Sequence, residues 1–557
     1  MGQSREHRYR ECGPRETVER IRGILSGLEL MPVESEWRRS GERFFSLSLG
    51  LPDTCVMVNG KGVTPQLALA SAYGELMERL QNMADFHLRA DMPRRARRYG
   101  GFLYAPDEIP QNMGEILASE DPWMRGLWDR VPDGTDRVSY LRRWKQAAHE
   151  ERHGDFYGIP FVSLADARQH VLPMNMLSVL YLTNGMCAGN TREEALVHGL
   201  CECLERYAAC MAVQGRYPLR VIDRKRIRQM DTVMNLIQPL EKGGYAVRLY
   251  DASLGLGLPV AAALLTDTRA GTYLARFGAA PDFETAMERA LTELMQGQHI
   301  EHIAGMRPIH VKPDIADPTQ NRMGILVNGF GAYPFDCFGE KAAGELPDYG
   351  AAGLGETLSN LTELVRGLGY DVLCRDVSFL GFPAAHVIVP GMSEIGDFGD
   401  REALYRQPLP DTAAVTDVLH LHIGESIPWY YGSIRLLKLF LALCCGDRTR
   451  AADLLHVQAK EAGADSLYYR CARDVCLLRE RGEEDQAVRN SLGRFYPEET
   501  VSLALLEMGE DLYRRPGTIH CFDCDQCPYE ERCSHPGTEK LYKRLKQRMR
   551  LCHEDRQ

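Results

Sequence analysis

The sequence predicts an α+β protein in which strands lead repeatedly, through glycine turns, into acidic helices, with an all-helical module at the C-terminal end. Three observations carry this expectation. Three helix starts share one register of caps, small residues and acids. Short segments of strand character alternate with helical patterns through the first 390 or so residues. Beyond about residue 425 the pattern becomes helical, with helices paired across short breaks.

The register is clearest from Asn184 to Tyr207, NGMCAGNTREEALVHGLCECLERY. A glycine turn, Gly185 to Gly189, leads to Thr191 and Glu194, which read as a Thr-x-x-Glu capping box opening a helix. Glu202 and Glu205, three apart, share one helix face, and Arg206 follows. Alone, such a pattern is more often a solvated face than a site. The pattern recurs, however. Thr64-Pro65 is a second start, a cap with proline at the first helical position, and Glu75, Glu78 and Arg79 stand to Thr64 as Glu202, Glu205 and Arg206 stand to Thr191. Asp282 caps a third helix, with Glu293 and Gln296 at the same two depths. An alanine sits four residues past each cap (Ala68, Ala195, Ala286), and a glycine lies within four residues before it (Gly62, Gly189, Gly278). Three helices of one design identify an internal repeat, and chance register in a Glu-rich chain is the weaker account.

In chain order, residues 1–30 predict a helix around ETVERIRGILSGLEL. Phe44 to Leu51 and Cys55 to Asn59 predict strands that feed the first acidic helix. Residues 90–150, rich in Arg, Pro, Asp and Gly with weak periodicity, read as an insertion. Ile159 to Leu164 and Val171 to Leu182 alternate like strands, the second reaching the central glycine turn. Ala246 to Asp251, Val260 to Thr266 and Thr272 to Phe277 are further strands before the third acidic helix. Leu358 to Leu368 is an amphipathic helix, followed by strands at Asp371 to Asp376 and His386 to Val389. From Tyr430 the signal is GSIRLLKLFLALCCG, RAADLLHVQAKEAG and SLYYRCARDVCLLRERGE, helices broken at Gly446-Asp447 and Ala462-Gly463. They point to a helical-hairpin module of tetratricopeptide-like kind or to an ordinary helical bundle. The expected division is 1–425 as the core domain, 426–515 as the helical module, and 516–557 as a cysteine-containing segment with a basic helix.

Composition narrows the class. A hydrophobic content of 44% is that of a globular protein, and the net charge of −11 argues against a general nucleic-acid-binding surface. The N-terminal residues MGQSREHRYR lack the apolar core of a secretory signal, and the longest apolar run, Leu436 to Cys445, is too short to span a bilayer. The expectation is a cytoplasmic protein with reduced thiols and no membrane partner.

If the three helices converge, Glu75, Glu78, Glu202, Glu205 and Glu293 crowd five carboxylates into one cleft beside the Gln296 amide. Such a cluster demands cations. Hard oxygen donors suit Mg²⁺, which binds through a few carboxylates plus substrate phosphates. Arg206 and Arg289 then become candidates for clamping phosphate oxygens. Ser71 lies four residues before Glu75 on the same face, and Asn190 and Glu194 flank the second cap; each reads equally as a nucleotide contact or as a cap or solvent group. The chain contains no G-x-x-x-x-G-K-[ST] sequence, so it is not a P-loop enzyme.

At these residues the sequence resembles the YcaO family of ATP-utilising enzymes. The resemblance is carried by SAYGELMERL, NGMCAGNTREEALVHGLCECLERY and ALTELMQGQ, and extends to VLPMNMLSVLYLTNG, YDASLGLG and IVPGMSEI. It is strongest toward the long, stand-alone bacterial members that carry a helical C-terminal module. It implies a YcaO-type core over 1–425 that binds ATP and Mg²⁺, with Glu75, Glu78, Glu202, Glu205 and Glu293 as metal-linked acids. Ser71, Asn190, Glu194, Arg206, Arg289 and Gln296 become nucleotide-side residues, and Arg10 and Thr17 the N-terminal ones. The implied chemistry is activation of a backbone amide. A nucleophile adds to a peptide carbonyl, ATP phosphorylates the oxyanion, and phosphate leaves to give an azoline, amidine or thioamide. The chain ends RLCHEDRQ without the proline-rich tail of many cyclodehydratases, which weakens that assignment. The stand-alone subgroup is linked instead to β-methylthiolation of a small-subunit ribosomal protein, as accessory factor to a radical methylthiotransferase. The implied partners are therefore a peptide or protein substrate, a radical methylthiotransferase or sulfur donor, and a second copy of the chain. A contrasting expectation is an ATP-binding docking protein without amide chemistry.

Outside the resemblance stand Cys521, Cys524, Cys527 and Cys533, four thiols within thirteen residues. Zinc sites pair two Cys-x₂₋₄-Cys knuckles across a longer loop, which this run lacks. Three cysteines at x₂ spacing with a fourth nearby favour a [4Fe–4S] cluster over zinc.

Overall fold

The computed structural model describes residues 9–54, 56–84, 101–131, 134–141, 156–214, 217–300, 303, 305–309, 321, 324–328, 331–395, 448–461, 466–508 and 535–555. The first part of the chain forms α1 (Pro14–Gly27), β1 (Val33–Ser40), β2 (Phe44–Gly50), β3 (Met57–Gly62) and α2 (Pro65–Gln81). The next forms β4 (Ile109–Gln111), α3 (Pro122–Arg130), β5 (Phe156–Ser163), β6 (Gln169–Pro173), α4 (Met174–Leu180), β7 (Met186–Ala188) and α5 (Arg192–Val213). Then come β8 (Leu219–Val221), α6 (Asp231–Lys242), β9 (Ala246–Asp251), β10 (Val260–Asp267), β11 (Thr272–Ala279) and α7 (Phe283–Leu294). The core closes with β12 (Arg307–Pro308), β13 (Phe338–Ala342), α8 (Leu354–Gly367), β14 (Leu373–Asp376) and β15 (Ala384–Ile388). Helices α9 (Arg448–Glu461), α10 (Ser466–Glu480), α11 (Asp485–Leu492), α12 (Glu498–Glu507) and α13 (His535–Glu554) follow.

The strands make three sheets, ordered β1-β2-β3, β12-β11-β10-β9-β8-β13 and β4-β5-β14-β15-β7, with β6 also paired to β5. The internal repeat is physical. Thr64, Thr191 and Asp282 each cap their helix by accepting from the backbone N–H three residues on, that of Leu67, Glu194 and Thr285. The glycines before the caps let strand and helix touch. A Cβ on Gly62 would stand 2.6 Å from Ala68 N, one on Gly189 2.6 Å from Ala195 N, and one on Gly278 2.6 Å from Ala286 O. Eight residues past the caps the helix side is equally small: Ala72 faces Gly60, Ala290 faces Gly278, and Gly199 makes room for Cys187.

Each helix also leans on the strand of the next unit. Helix α2 packs on β3 and on β7, α5 on β7 and β11, and α7 on β11 and back on β3. The three units thus close a cycle, and residues at equal helical depth are brought toward a common centre.

Several elements differ from the sequence expectation. Val171 to Leu182 reads as one strand but divides at Pro173 into β6 and α4, because Met and Leu residues after a proline with φ of −64° continue as helix. Strand β1 is a mostly exposed edge strand, so its sequence lacks the buried alternation that marks a strand. Within the weakly periodic 90–150 region, β4 pairs with β5, and α3 buries Trp123, Leu127 and Trp128. In the C-terminal part, α9 to α12 share one hydrophobic core, and α13 contributes Leu541, Tyr542 and Leu545 to the core around α1 and α2. No described helix is long and apolar enough to cross a membrane.

Candidate functional site

Positions seven, eleven and fourteen past each cap fall on one helical face. Helix α2 presents Ser71, Glu75 and Glu78 there; α5 presents His198, Glu202 and Glu205; α7 presents Arg289 and Glu293. Gln296 lies beyond the end of α7, which stops at Leu294, so the third unit offers its amide from a turn. The cyclic packing draws these faces together. Arg79 lies 3.5 Å from Glu75 and 3.8 Å from Glu78, and Arg206 Nε donates to Glu202 at 3.0 Å. The backbone N–H of Ala279 donates to Glu205 at 3.1 Å, and Arg289 Nη1 donates to the Ala279 carbonyl at 3.1 Å. Lys61, from β3, pairs with Glu293 and donates to Gln296 Oε1 at 3.1 Å.

The acids disturb one another. Burial raises the Glu75 carboxyl, with Glu202 adding to the rise and Arg79 opposing it. Burial pushes Glu78 well above the usual carboxylate range, with Glu202 and Glu75 adding. Burial, then Glu293 and Glu202, brings Glu205 to about 7. Yet the side chains of Glu75 and Glu202 keep 32% and 21% of their surface open. Glu75 and Glu202 are thus crowded by protein and still reached by solvent, which marks a recess among the three acidic helices, while Glu78 is buried.

The N-terminal segment closes against the second unit. Thr17 Oγ1 lies 3.1 Å from Asn190 Oδ1, Arg20 donates to the Asn190 carbonyl at 2.9 Å, and the Glu11 N–H donates to Glu194 at 3.0 Å. The Glu194 carboxylate also accepts from Asn190 Nδ2 at 3.1 Å. The expected capping box is therefore half made. Thr191 caps the Glu194 N–H, but the Glu194 side chain turns to Asn190 and the N-terminal segment rather than back to the cap. Arg10 is crowded by protein beside Arg289, with Glu194 and Glu288 close enough to support its charge. Arg10, Thr17, Asn190, Glu194 and Arg289 are thus brought together. Ser71 is half-buried and makes no side-chain hydrogen bond among the described residues.

Lys61 and His198 are absent from the sequence-derived candidates, and the repeat holds the signal for His198. His198 stands seven past its cap, as Ser71 and Arg289 do past theirs. Its side chain is exposed, and crowding by the surrounding protein, then Arg289, Arg10 and Lys61, shifts its imidazole downward. Lys61 is a basic residue set between two glycines.

The donor set fits Mg²⁺ with a polyphosphate: oxygen ligands only, in excess, with arginines behind them. Among the described residues no three such side chains already stand close enough to form a ligand shell. Cys521, Cys524, Cys527 and Cys533 lie outside the described residues.

Acidic helices repeated around one recess are what the sequence resemblance leads one to expect, and the family comparison agrees. The chain matches the family model described as YcaO cyclodehydratase, ATP- and Mg²⁺-binding, over residues 59–393, and it belongs to the YcaO family. It is 28% identical over 540 residues to the ribosomal protein S12 methylthiotransferase accessory factor YcaO of Escherichia coli, covering 88% of this chain and 90% of that one. It is 30% identical over 345 residues to an uncharacterized protein of Haemophilus influenzae, covering 60% of this chain and 57% of that one. Among solved structures, it is 17% identical to a heterocyclase in complex with substrate and cofactor, covering 72% of this chain and 56% of the heterocyclase at a TM-score of 0.49. It is 19% identical to YcaO from Methanopyrus kandleri bound with AMPPCP and Mg²⁺, covering 69% and 93% at a TM-score of 0.43.

Proposed function

We propose that this chain binds ATP with Mg²⁺ in the recess and uses it to phosphorylate a backbone amide oxygen in a peptide or protein substrate. The observation that carries the reading is the convergence of Glu75, Glu78, Glu202, Glu205 and Glu293 from three helices of one design, against Arg79, Arg206 and Lys61. Carboxylates crowded enough to resist ionisation are arranged for a cation, and membership of an ATP- and Mg²⁺-binding family supports which one. When bound, Mg²⁺ neutralises charge on the phosphoryl groups. The acids hold and orient that complex, and Arg206 and Arg289 offer guanidinium groups to phosphate oxygens. Ser71, Asn190, Glu194, Arg10 and Thr17 line the nucleotide side. An amide oxygen is a poor leaving group, and phosphorylation makes it a good one, so the γ-phosphoryl group passes to the oxyanion formed by nucleophile addition and departs as phosphate.

A second reading is an accessory role in ribosomal protein methylthiolation. It is supported by the E. coli relative of that name, which matches across 88% of this chain. There the tetratricopeptide-like module docks a protein partner. The run Cys521, Cys524, Cys527 and Cys533 is proposed, on spacing, as a [4Fe–4S] or zinc site, decided by iron, sulfide and zinc content.

Glu202→Gln tests the principal reading. Removing one carboxylate from the phosphoryl-binding cluster is expected to lower ATP turnover roughly a thousandfold while the fold survives. Wild-type ATPase kinetics in the folded variant would remove Glu202 from the site.

A further inference from the structure

The three units are nearly equivalent, so the place where one departs from the pattern is informative. Three residues before the caps stand Lys61, Ala188 and Ala279. In the third unit this position acts through its backbone, the Ala279 N–H donating to Glu205 of the neighbouring unit's helix. In the first unit it carries a cation. Gly60 and Gly62 press β3 onto α2 so closely that a Cβ on either would collide with α2 backbone. Residues alternate across a strand, so Lys61 between them faces away from α2. It reaches α7, where it meets Glu293 and Gln296. Its charge also bears on Glu75 of α2 and on Glu205 and His198 of α5. One ammonium therefore touches the sphere of all three helices. The first two units answer their glutamates with an arginine fifteen past the cap, Arg79 and Arg206; the third has Gly297 there, and Lys61 takes the arginine's part.

Resting on the functional reading above, we propose that Lys61 is a built-in counter-ion that competes with the divalent metal for Glu293 and yields it only when a nucleotide polyphosphate draws the ammonium away. Metal alone must displace an ammonium already held by Glu293 and Gln296. Metal arriving with a polyphosphate supplies the anion that Lys61 then contacts, and Glu293 is released in the same event. Metal and nucleotide so bind as a coupled pair, and the acids are kept from collecting free divalent ions. An arginine fixed on the acidic helix itself, such as Arg206 four residues from Glu202, has less freedom to make that exchange; a lysine on the facing strand has a flexible stem with which to make it.

The test measures Mn²⁺ binding by electron paramagnetic resonance of the free ion, with and without a non-hydrolysable ATP analogue. Mn²⁺ shares the oxygen-ligand preference of Mg²⁺. In Lys61→Met, Mn²⁺ alone is expected to bind about tenfold more tightly than in wild type, and the ratio of affinities with and without the analogue to fall by about the same factor. Lys61→Gln is the second neutral variant, and thermal melting verifies that either is folded. Lys61→Arg keeps the charge and is expected to keep the wild-type affinity for Mn²⁺ alone. An unchanged Mn²⁺ affinity or an unchanged ratio in the folded neutral variants overturns the proposal, as does equal tightening in Lys61→Arg. Glu202→Gln reports on the functional reading separately. Loss of Mn²⁺ and analogue binding there supports that reading whatever the Lys61 variants do, and wild-type affinities there overturn it.

Discussion

Glu205 shows how much the recess asks of single residues. Its carboxyl is raised from the ordinary 4.5 to about 7 by burial, then by Glu293 and Glu202. The native state therefore holds a proton that the unfolded chain gives up at lower pH. Between these two values the unfolded state binds fewer protons than the native one, so stability falls as pH rises through the window. In metal-free protein, Glu205→Gln is expected to be more stable than wild type near pH 8, by on the order of 2 kcal/mol, with the gap closing as pH falls toward 4.5. Divalent affinity of the wild type should rise across the same interval, because proton and metal compete for one carboxylate. Thermal melts of both proteins at several pH values decide it: a gap that is constant, or that widens toward acid, contradicts the assignment. At this scale the acids were legible in the sequence because they repeat at fixed depth. Lys61 was not, since it reaches the site from a strand, and which helices a strand residue faces is set only by the fold. The outward turn of the Glu194 side chain was hidden too, because its partners Glu11 and Asn190 come together only in the fold.

At the scale of elements, the three acidic helices hold their depth because small residues let strand and helix meet. Gly278 is a clear case, since an added Cβ would meet both Ala286 O and Ala290 N of α7. Gly278→Ala must push α7 away from β11, at a cost of about 1–3 kcal/mol, and Glu293 moves with the helix. The expected outcome is a lower melting temperature together with weaker nucleotide binding. Gly367→Ala, near the end of α8 with open space around the new methyl, should leave both nearly unchanged. A Gly278→Ala protein with wild-type stability would mean that the strand–helix contact is looser than the structure shows. The caps and the glycine–alanine pairs could be read from sequence because capping and close approach are local in spacing. The division of Val171 to Leu182 into strand and helix could not, because an unbroken apolar run fits either element until packing chooses. Strand β1 escaped for the opposite reason, an edge strand with little to bury.

At the scale of the molecule, the two ends of the chain are joined. Helix α13 returns from beyond the helical module to the N-terminal core. Lys546 is fully buried there, donating to the carbonyls of Phe102 at 2.6 Å and Leu103 at 3.0 Å, with its ammonium 3.5 Å from the Phe102 ring centre. Arg544 pairs with Glu29 at 3.1 Å, and Leu541, Tyr542 and Leu545 are buried in the core that α1 and α2 share. A buried lysine satisfied by main-chain carbonyls of another segment fixes a unique seat for the helix, and losing it would leave those acceptors unpaired. Helices α9 to α12, by contrast, pack mainly on one another, α10 touching α9, α11 and α12, around a core of their own. The arrangement separates two deletions that a linear view of domains would treat alike. Replacing 448–508 with a short flexible linker, so that α13 stays attached, is expected to leave nucleotide affinity close to wild type. Truncating everything after 447 also removes α13, strips apolar partners from α1 and α2, and is expected to cost several kcal/mol of stability and nucleotide binding with it, since Thr17 of α1 braces Asn190. Calorimetry and nucleotide binding on both proteins test this. If the internal deletion alone abolishes binding in a folded protein, the module is part of the catalytic core. If the truncation melts at the wild-type temperature, α13 is not the clasp that its buried lysine makes it.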